Sequence, residues 1–374
     1  VSNGATIRLS LTRLARFAGL TTVATSLATS SLAVSLLATS MLVANLLGAG
    51  ALAQTPDGFF KGRQITFLIG AGAGGGYDAY FRTFARYVVH HIPGAPTIVP
   101  KNMPAASGLA AANTLYTSAD RDGATIGAFP NNIPMDPLFG NPGARYDAQR
   151  LNWLGSIGKL ENVCATWITS PIKTIAQARE REVIVAAAAA TSNSAIMPKV
   201  LNALLGTRFK VVGGYDPGSG MTLALESGET EGVCGLSWST IKAARPHWIM
   251  DHKLNVIVQL GLTKLPELPD VPAALDLVTD PVKKQVLELI LIRQEIGRPV
   301  AAPPGVPADR LEILRQAFDA TMQDPAFLAE AEKLQLEIEP LRAREIDMLL
   351  ADAFASPKAI VQQAAALIEP SAQK

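Results

Sequence analysis

Short apolar runs bounded by glycine, proline or small polar residues alternate along this chain with stretches of helical periodicity. "QITFLIG", "TIVPKN", "TIGAFP", "LNWLGSI", "EVIVAAA", "FKVVGG" and "VIVQLGL" read as buried strands. Between them, "DAYFRTFARYVVHH", "SGLAAANTLYT", "NSAIMPKVLNALLG" and "GMTLALESGE" read as helices. Strand and helix in alternation predict an α/β architecture with largely parallel sheets. Two series of strand, small-residue loop and helix stand out, at 65–135 and 183–240. The last third is helical. Leu311, Leu314, Ala317, Phe318 and Met322 share one helix face behind Pro307, Asp324-Pro325 marks a second start and Ser356-Pro357 a third. "LPELPDVP" (265–272) and "RPVAAPPGVP" (298–307) read as extended connections.

The N-terminal region departs from this pattern. Residues 1–53 hold Arg8, Arg13 and Arg16 and no acid, and no charge follows until Asp57. The apolar run ends in Ala51-Leu52-Ala53, a small-x-small cleavage pattern. We expect residues 1–53 to be an export signal; a retained anchor is the alternative. The remainder of the 374 residues suits two domains of ordinary size. The net charge is only +1 and both signs are dispersed, which argues against a nucleic-acid surface. The only two cysteines are Cys164 and Cys234. An oxidising compartment permits a disulfide between them, and two buried thiols are the alternative. No histidine or cysteine spacing suits a metal, so neither metal nor cofactor is expected.

Candidate chemistry concentrates where strands give way to helices. Residues 70–76 are only glycine and alanine, and Gly70, Gly72 and Gly75 have the spacing of a dinucleotide loop. Such a site needs an acid at the end of the next strand, which here ends in Pro100, Lys101 and Asn102. What survives is the physical core of the motif. Bare backbone N–H groups at a helix start favour an anion, and glycine lets it come close. Three more junctions share this construction: Pro104–Gly108, Thr191–Ser194, and Tyr215 through Gly220 with Pro217. Two lie in each half of the chain, which suggests a cleft lined from both halves. "GLSWS" (235–239) approaches a nucleophile elbow without its last glycine, and His247 is the nearest base. An exported serine hydrolase is therefore the enzymatic alternative.

These segments, in this order from about residue 60 to the C-terminus, resemble the solute-binding receptors of tripartite tricarboxylate transporters, the Bug receptors. The quoted carriers are the GGG-x-D helix start, "KNMPAASG", "DRDGATIG", "TSNS", "GGYDPGSG" and "LPELPDVP" followed by "AAPPGVPADRLEILRQAF". The resemblance implies a two-lobed periplasmic-binding-protein fold of the type II, Venus flytrap kind. It also implies a monomeric, non-enzymatic periplasmic receptor that presents a small organic acid to membrane permease subunits. A sensing receptor for organic acids is the alternative role. Expected lobes are 54–165 with about 296–374, and 166–295. By resemblance the first lobe offers Gly75, Gly76, Tyr77 and Asp78, then Ala106, Ser107 and Gly108, with Asn131 beyond the third strand. The facing lobe offers Thr191, Ser192 and Asn193, with Tyr215 and Pro217 nearby, and Trp238 either stacks on the ligand or belongs to the core. Asp78 either complements its helix dipole or accepts a hydrogen bond from the ligand. The second loop departs from the family's P-G-A-G-G pattern at Ala105 to Ser107.

Overall fold

The structure is a computed structural model and describes residues 56–216 and 219–369. The expected export signal and Pro217 lie outside the described residues.

Two sheets organise the chain. The first contains β1 (Gln64–Ile69), β2 (Thr97–Asn102), β3 (Thr125–Ala128), β4 (Asn152–Ser156), β10 (Pro299–Ala302) and β11 (Leu341–Arg342), in the order β11-β4-β10-β3-β1-β2. The second contains β5 (Asn162–Trp167), β6 (Val183–Ala186), β7 (Phe209–Val212), β8 (Gly232–Ser237) and β9 (Leu254–Leu260), in the order β7-β6-β8-β5-β9. The fold is α/β and two-lobed, as expected, but the sheets are mixed rather than largely parallel. β1, β2 and β3 are mutually parallel where they pair, as are β6, β7 and β8. In each sheet the strand that arrives from the other lobe runs antiparallel to both of its neighbours: β10 between β3 and β4 in the first sheet, β5 between β8 and β9 in the second. Such strands enter without a βαβ crossover, so no parallel direction is imposed on them.

Helix α1 (Gly76–Val88) illustrates why these elements pack. Tyr77, Phe81, Phe84 and Val88 recur at helical spacing, and Phe81, Phe84 and Val88 are buried with Phe67 of β1 and Phe318. Each fully buried phenylalanine contributes about 1.5–3 kcal/mol. Helix α2 (Leu109–Thr117) follows β2. In the second lobe helix α3 (Asn193–Leu205) follows β6 and buries Ile196, Met197, Val200 and Leu201. Cys164 and Cys234 face each other across the antiparallel β5–β8 pair and form a disulfide.

The lobe boundaries differ from those expected. All of β5 belongs to the second sheet, so the first crossing lies at 157–161, before the expected 165. Helix α4 (Pro281–Glu295) precedes the return crossing to β10, close to the expected 296. The two crossings are held side by side. Ile157 N–H donates to the Arg298 carbonyl (3.0 Å) and Leu160 N–H to that of Gln294 (2.8 Å). A Cβ on Gly297 would come within 2.6 Å of the Gly158 carbonyl oxygen, so this close approach requires glycine. The C-terminal region divides: helix α5 (Ala343–Phe354) packs on β4, whereas helix α6 (Lys358–Ile368) packs on α4 and α3 of the second lobe. The last helix therefore does not belong to the first lobe as expected; its apolar face is buried against the second.

Candidate functional site

Three loops of the first lobe meet at the carboxyl ends of β1, β2 and β3. Gly108 has φ of +88°, and a Cβ there would lie 2.7 Å from the Gly70 carbonyl oxygen and 2.8 Å from Pro130. Glycine at this position is what brings the loops together. Ala106 and Ser107 also take left-handed backbone, with φ of 53° and 55°. Two adjacent non-glycine residues in that region are unfavourable by of order 1–3 kcal/mol each, a pattern common where a loop is shaped for contact.

The carboxylate of Asp78 fixes the shape of the glycine loop. It accepts hydrogen bonds from the Gly74 N–H (2.8 Å), from Arg82 Nε (2.9 Å) and from Asn102 Nδ2 (2.8 Å). Asn102 Nδ2 also donates to the Ala71 carbonyl (2.8 Å). Burial alone would raise the Asp78 pKa, but the donors Asn102, Gly74 and Arg82 outweigh it and hold the carboxyl below its ordinary range. Asp78 is thus turned into the loop, with its oxygens engaged by the scaffold.

Opposite these loops stands the junction between β6 and α3. Neither α1 nor α3 has a side chain capping its first turn. Ser107 Oγ and Thr191 Oγ1 are 2.9 Å apart and link the two lobes across the cleft. A cavity of about 290 Å³ lies between the lobes, lined by Gly70, Ala71, Gly72 and Tyr77, by Pro130 to Asn132, and by Thr191 to Asn193. A second space of about 370 Å³ shares Ser107, Asn132, Thr191 and Arg293 with it and continues among Leu109, Phe139 and Ile196.

Polar atoms left without partners gather at this cleft. Asn131 Nδ2, Asn193 Oδ1 and Arg293 Nε are buried and make no hydrogen bond, and all three residues line the smaller cavity. An unsatisfied buried polar group costs about 1–3 kcal/mol, so their concentration at one place marks a site prepared for a polar guest.

The expected residues divide as follows. Tyr77, Ala106, Ser107, Asn131, Thr191, Ser192 and Asn193 line the two spaces, and Gly108 shapes them from behind. Gly75, Gly76 and Asp78 do not line them; the earlier half of the same loop, Gly70 to Gly72, does so instead. Tyr215 donates its hydroxyl to Glu229 (2.7 Å) and does not line either space. Trp238 is buried in the second lobe's core and donates its indole N–H to Glu267 (2.8 Å). Of the hydrolase pair, Ser237 Oγ lies 2.8 Å from Ser239 Oγ, and His247 Nε2 lies 4.0 Å from a Glu226 oxygen. Ser237 and His247 thus have different partners. Among the described residues no cluster of histidine, cysteine and acid side chains suits a metal ion. Sequence reasoning missed Arg293 and Asn132. Arg293 sits in the apolar run "LELILIRQE", where a cation within a buried helix was the available signal.

No protein-family model and no curated protein matches the sequence. Solved structures do. A TctC solute-binding protein from Polaromonas superposes with a TM-score of 0.61 at 17% identity, covering 82% of this chain and 98% of that one. The periplasmic binding protein BugD gives 0.57 at 19%, covering 82% and 96%. MatC from Rhodopseudomonas palustris, solved with bound malate, gives 0.59 at 18%, covering 82% and 99%. At such identities the likeness concerns the fold, and the chain has the two-lobed fold of the TctC and Bug periplasmic solute-binding proteins.

Proposed function

We propose that the protein is a periplasmic receptor that captures a small organic carboxylate between its lobes and presents it to the permease of a tripartite tricarboxylate-type transporter. It acts by binding and performs no chemistry on the ligand. The observation that carries this reading is the cleft in which strand-to-helix junctions of both lobes face each other, with Asn131 Nδ2 a free donor for a carboxylate and Asn193 Oδ1 a free acceptor for a donor on the ligand. Charge-assisted hydrogen bonds contribute about 1.5–3 kcal/mol each. Three or four of them, less the cost of association, reach micromolar affinity, near −8 kcal/mol. The carboxylate ligand of the similar MatC structure, malate, agrees in kind.

Isothermal titration of the purified chain with a panel of organic acids and their uncharged amides tests this. At least one acid should bind in the micromolar range while its amide binds ten-fold more weakly or not at all. Equal binding of acids and amides, or turnover of ester substrates, would overturn the reading.

A further inference from the structure

Arg293 is a buried cation at the cleft. It lies near the C-terminal end of α4, is only 4% exposed, and lines both spaces of the cleft. Its Nε has no hydrogen-bond partner, and the guanidinium makes no hydrogen bond or ion pair among the described residues. Arginine stays protonated in proteins, so a full positive charge is held here with its donor fork unused. Burying a charge without a partner is costly, and a site that does so is prepared for an anion supplied from outside. Asp136 is the acid whose charge acts on Arg293, but the two form no ion pair, and Asp136 Oδ2 accepts instead from Asn132 Nδ2 (2.8 Å) and Asn141 Nδ2 (3.2 Å).

The surroundings of Arg293 are unequal on its two sides. Toward the glycine loop are the free donor Asn131 Nδ2 and the free acceptor Asn193 Oδ1. Away from it, the larger space is walled by Leu109, Phe139, Pro142, Ile196 and Ile368. The acids that line this larger space are Asp136 and Glu369. A ligand with one acid group finds its cation at the junction and an apolar chamber for its body. A second carboxylate carried into that chamber would meet apolar walls, two acidic side chains, and the amides of Asn132 and Asn141, whose N–H groups already donate to Asp136.

We infer that Arg293 is the charged anchor of the cleft and that the preferred ligand is an amphipathic monocarboxylate, its acid on Arg293 and its apolar body among Leu109, Phe139 and Ile196. This inference rests on the receptor reading and narrows it to a substrate class.

The test is isothermal titration of the purified chain with hexanoate, adipate and hexanamide, which share six carbons and differ in charge. Hexanoate should bind at least about ten-fold more tightly than either of the others. Arg293→Met should weaken hexanoate by about 30-fold or more, the loss typical of removing one side of a buried charge pair. The ligand-free melting temperature of that variant should hold or rise, because an unpartnered charge has been removed. A merely structural arginine would instead lower it. Equal or tighter binding of adipate in the wild-type chain overturns the inference while the receptor reading stands. That comparison needs no variant, so it remains decisive if Arg293→Met fails to fold. Retained hexanoate binding in a folded Arg293→Met chain overturns it as well. Failure of hexanoate where another acid of the wider panel binds overturns the inference alone; if no acid of that panel binds, the receptor reading falls with it.

Discussion

At the scale of single residues, the cleft separates groups that hold the site from groups that remain free to meet a ligand. Asp78 belongs to the first kind. Its carboxylate engages the Gly74 N–H, Arg82 and Asn102, and so secures a loop made only of glycine and alanine. Replacing Asp78 by Asn should therefore lower stability by about 1–3 kcal/mol, read from urea unfolding, because donors are left facing a poorer acceptor. Ligand selectivity between acids with and without a hydroxyl group should hold; a selectivity change without loss of stability would show that Asp78 touches the ligand. Its lowered pKa means that the stabilisation persists from neutral pH down and is lost as the pH falls through that depressed value. The glycine loop was legible as an anion loop, because strand, glycines and helix stand in order. The half that lines the cleft was not, because the Asp78 contacts that turn Gly74 inward involve side-chain positions the spacing does not reveal. Arg293 was hidden for a related reason: a cation in an apolar run stands out in the sequence, but what it faces is not known until the cleft beside it is.

At the scale of elements, strands flanked by glycine and helices with a clear stripe were readable. β2 matches "TIVPKN" residue for residue, and Asp324 caps its helix by accepting from the Ala326 N–H (2.8 Å). The misses have causes. β10 lies in a proline-rich stretch that read as a connection, yet Pro299 occupies only the first position of the strand, where a missing N–H is tolerated. β5 and β8 are buried on both faces and carry no alternation. Helix α4 begins with Asp280 accepting from the Val282 N–H (2.8 Å), the same start signal as Asp324-Pro325, but its nearly all-round burial from Val286 onward removes the amphipathic stripe. The crossing elements also carry a titration. Burial, then the neighbouring Glu339 and Glu337, raise the Glu161 pKa to about 7, with Lys159 and Lys242 opposing. A raised carboxyl binds more protons folded than unfolded, so its contribution is present below the ordinary value and is lost as the pH rises toward 7. Melting temperatures measured from pH 4.5 to 7.5 should fall across that window, and Glu161→Gln should flatten the decline. An unchanged slope in the variant would assign the effect to another group.

At the scale of the molecule, chain length and the junctions in both halves pointed to two domains around a cleft, the family resemblance implied two lobes, and the structure shows how they are joined. Paired crossings at 157–161 and 296–298 run side by side, and the last helix returns to the second lobe. That arrangement sets the β1, β2 and β3 loop ends opposite the start of α3 and leaves Arg293 between them. In the proposed receptor one acid is held by both lobes at once. The most direct measurement is a crystal structure of the chain with hexanoate, or with the tightest acid of the titration panel. We predict the carboxylate within hydrogen-bond distance of Arg293 and of groups from both the 70–72 or 131 loops and the 191–193 loop. An acid bound outside the cleft, or touching one lobe only, would contradict the account.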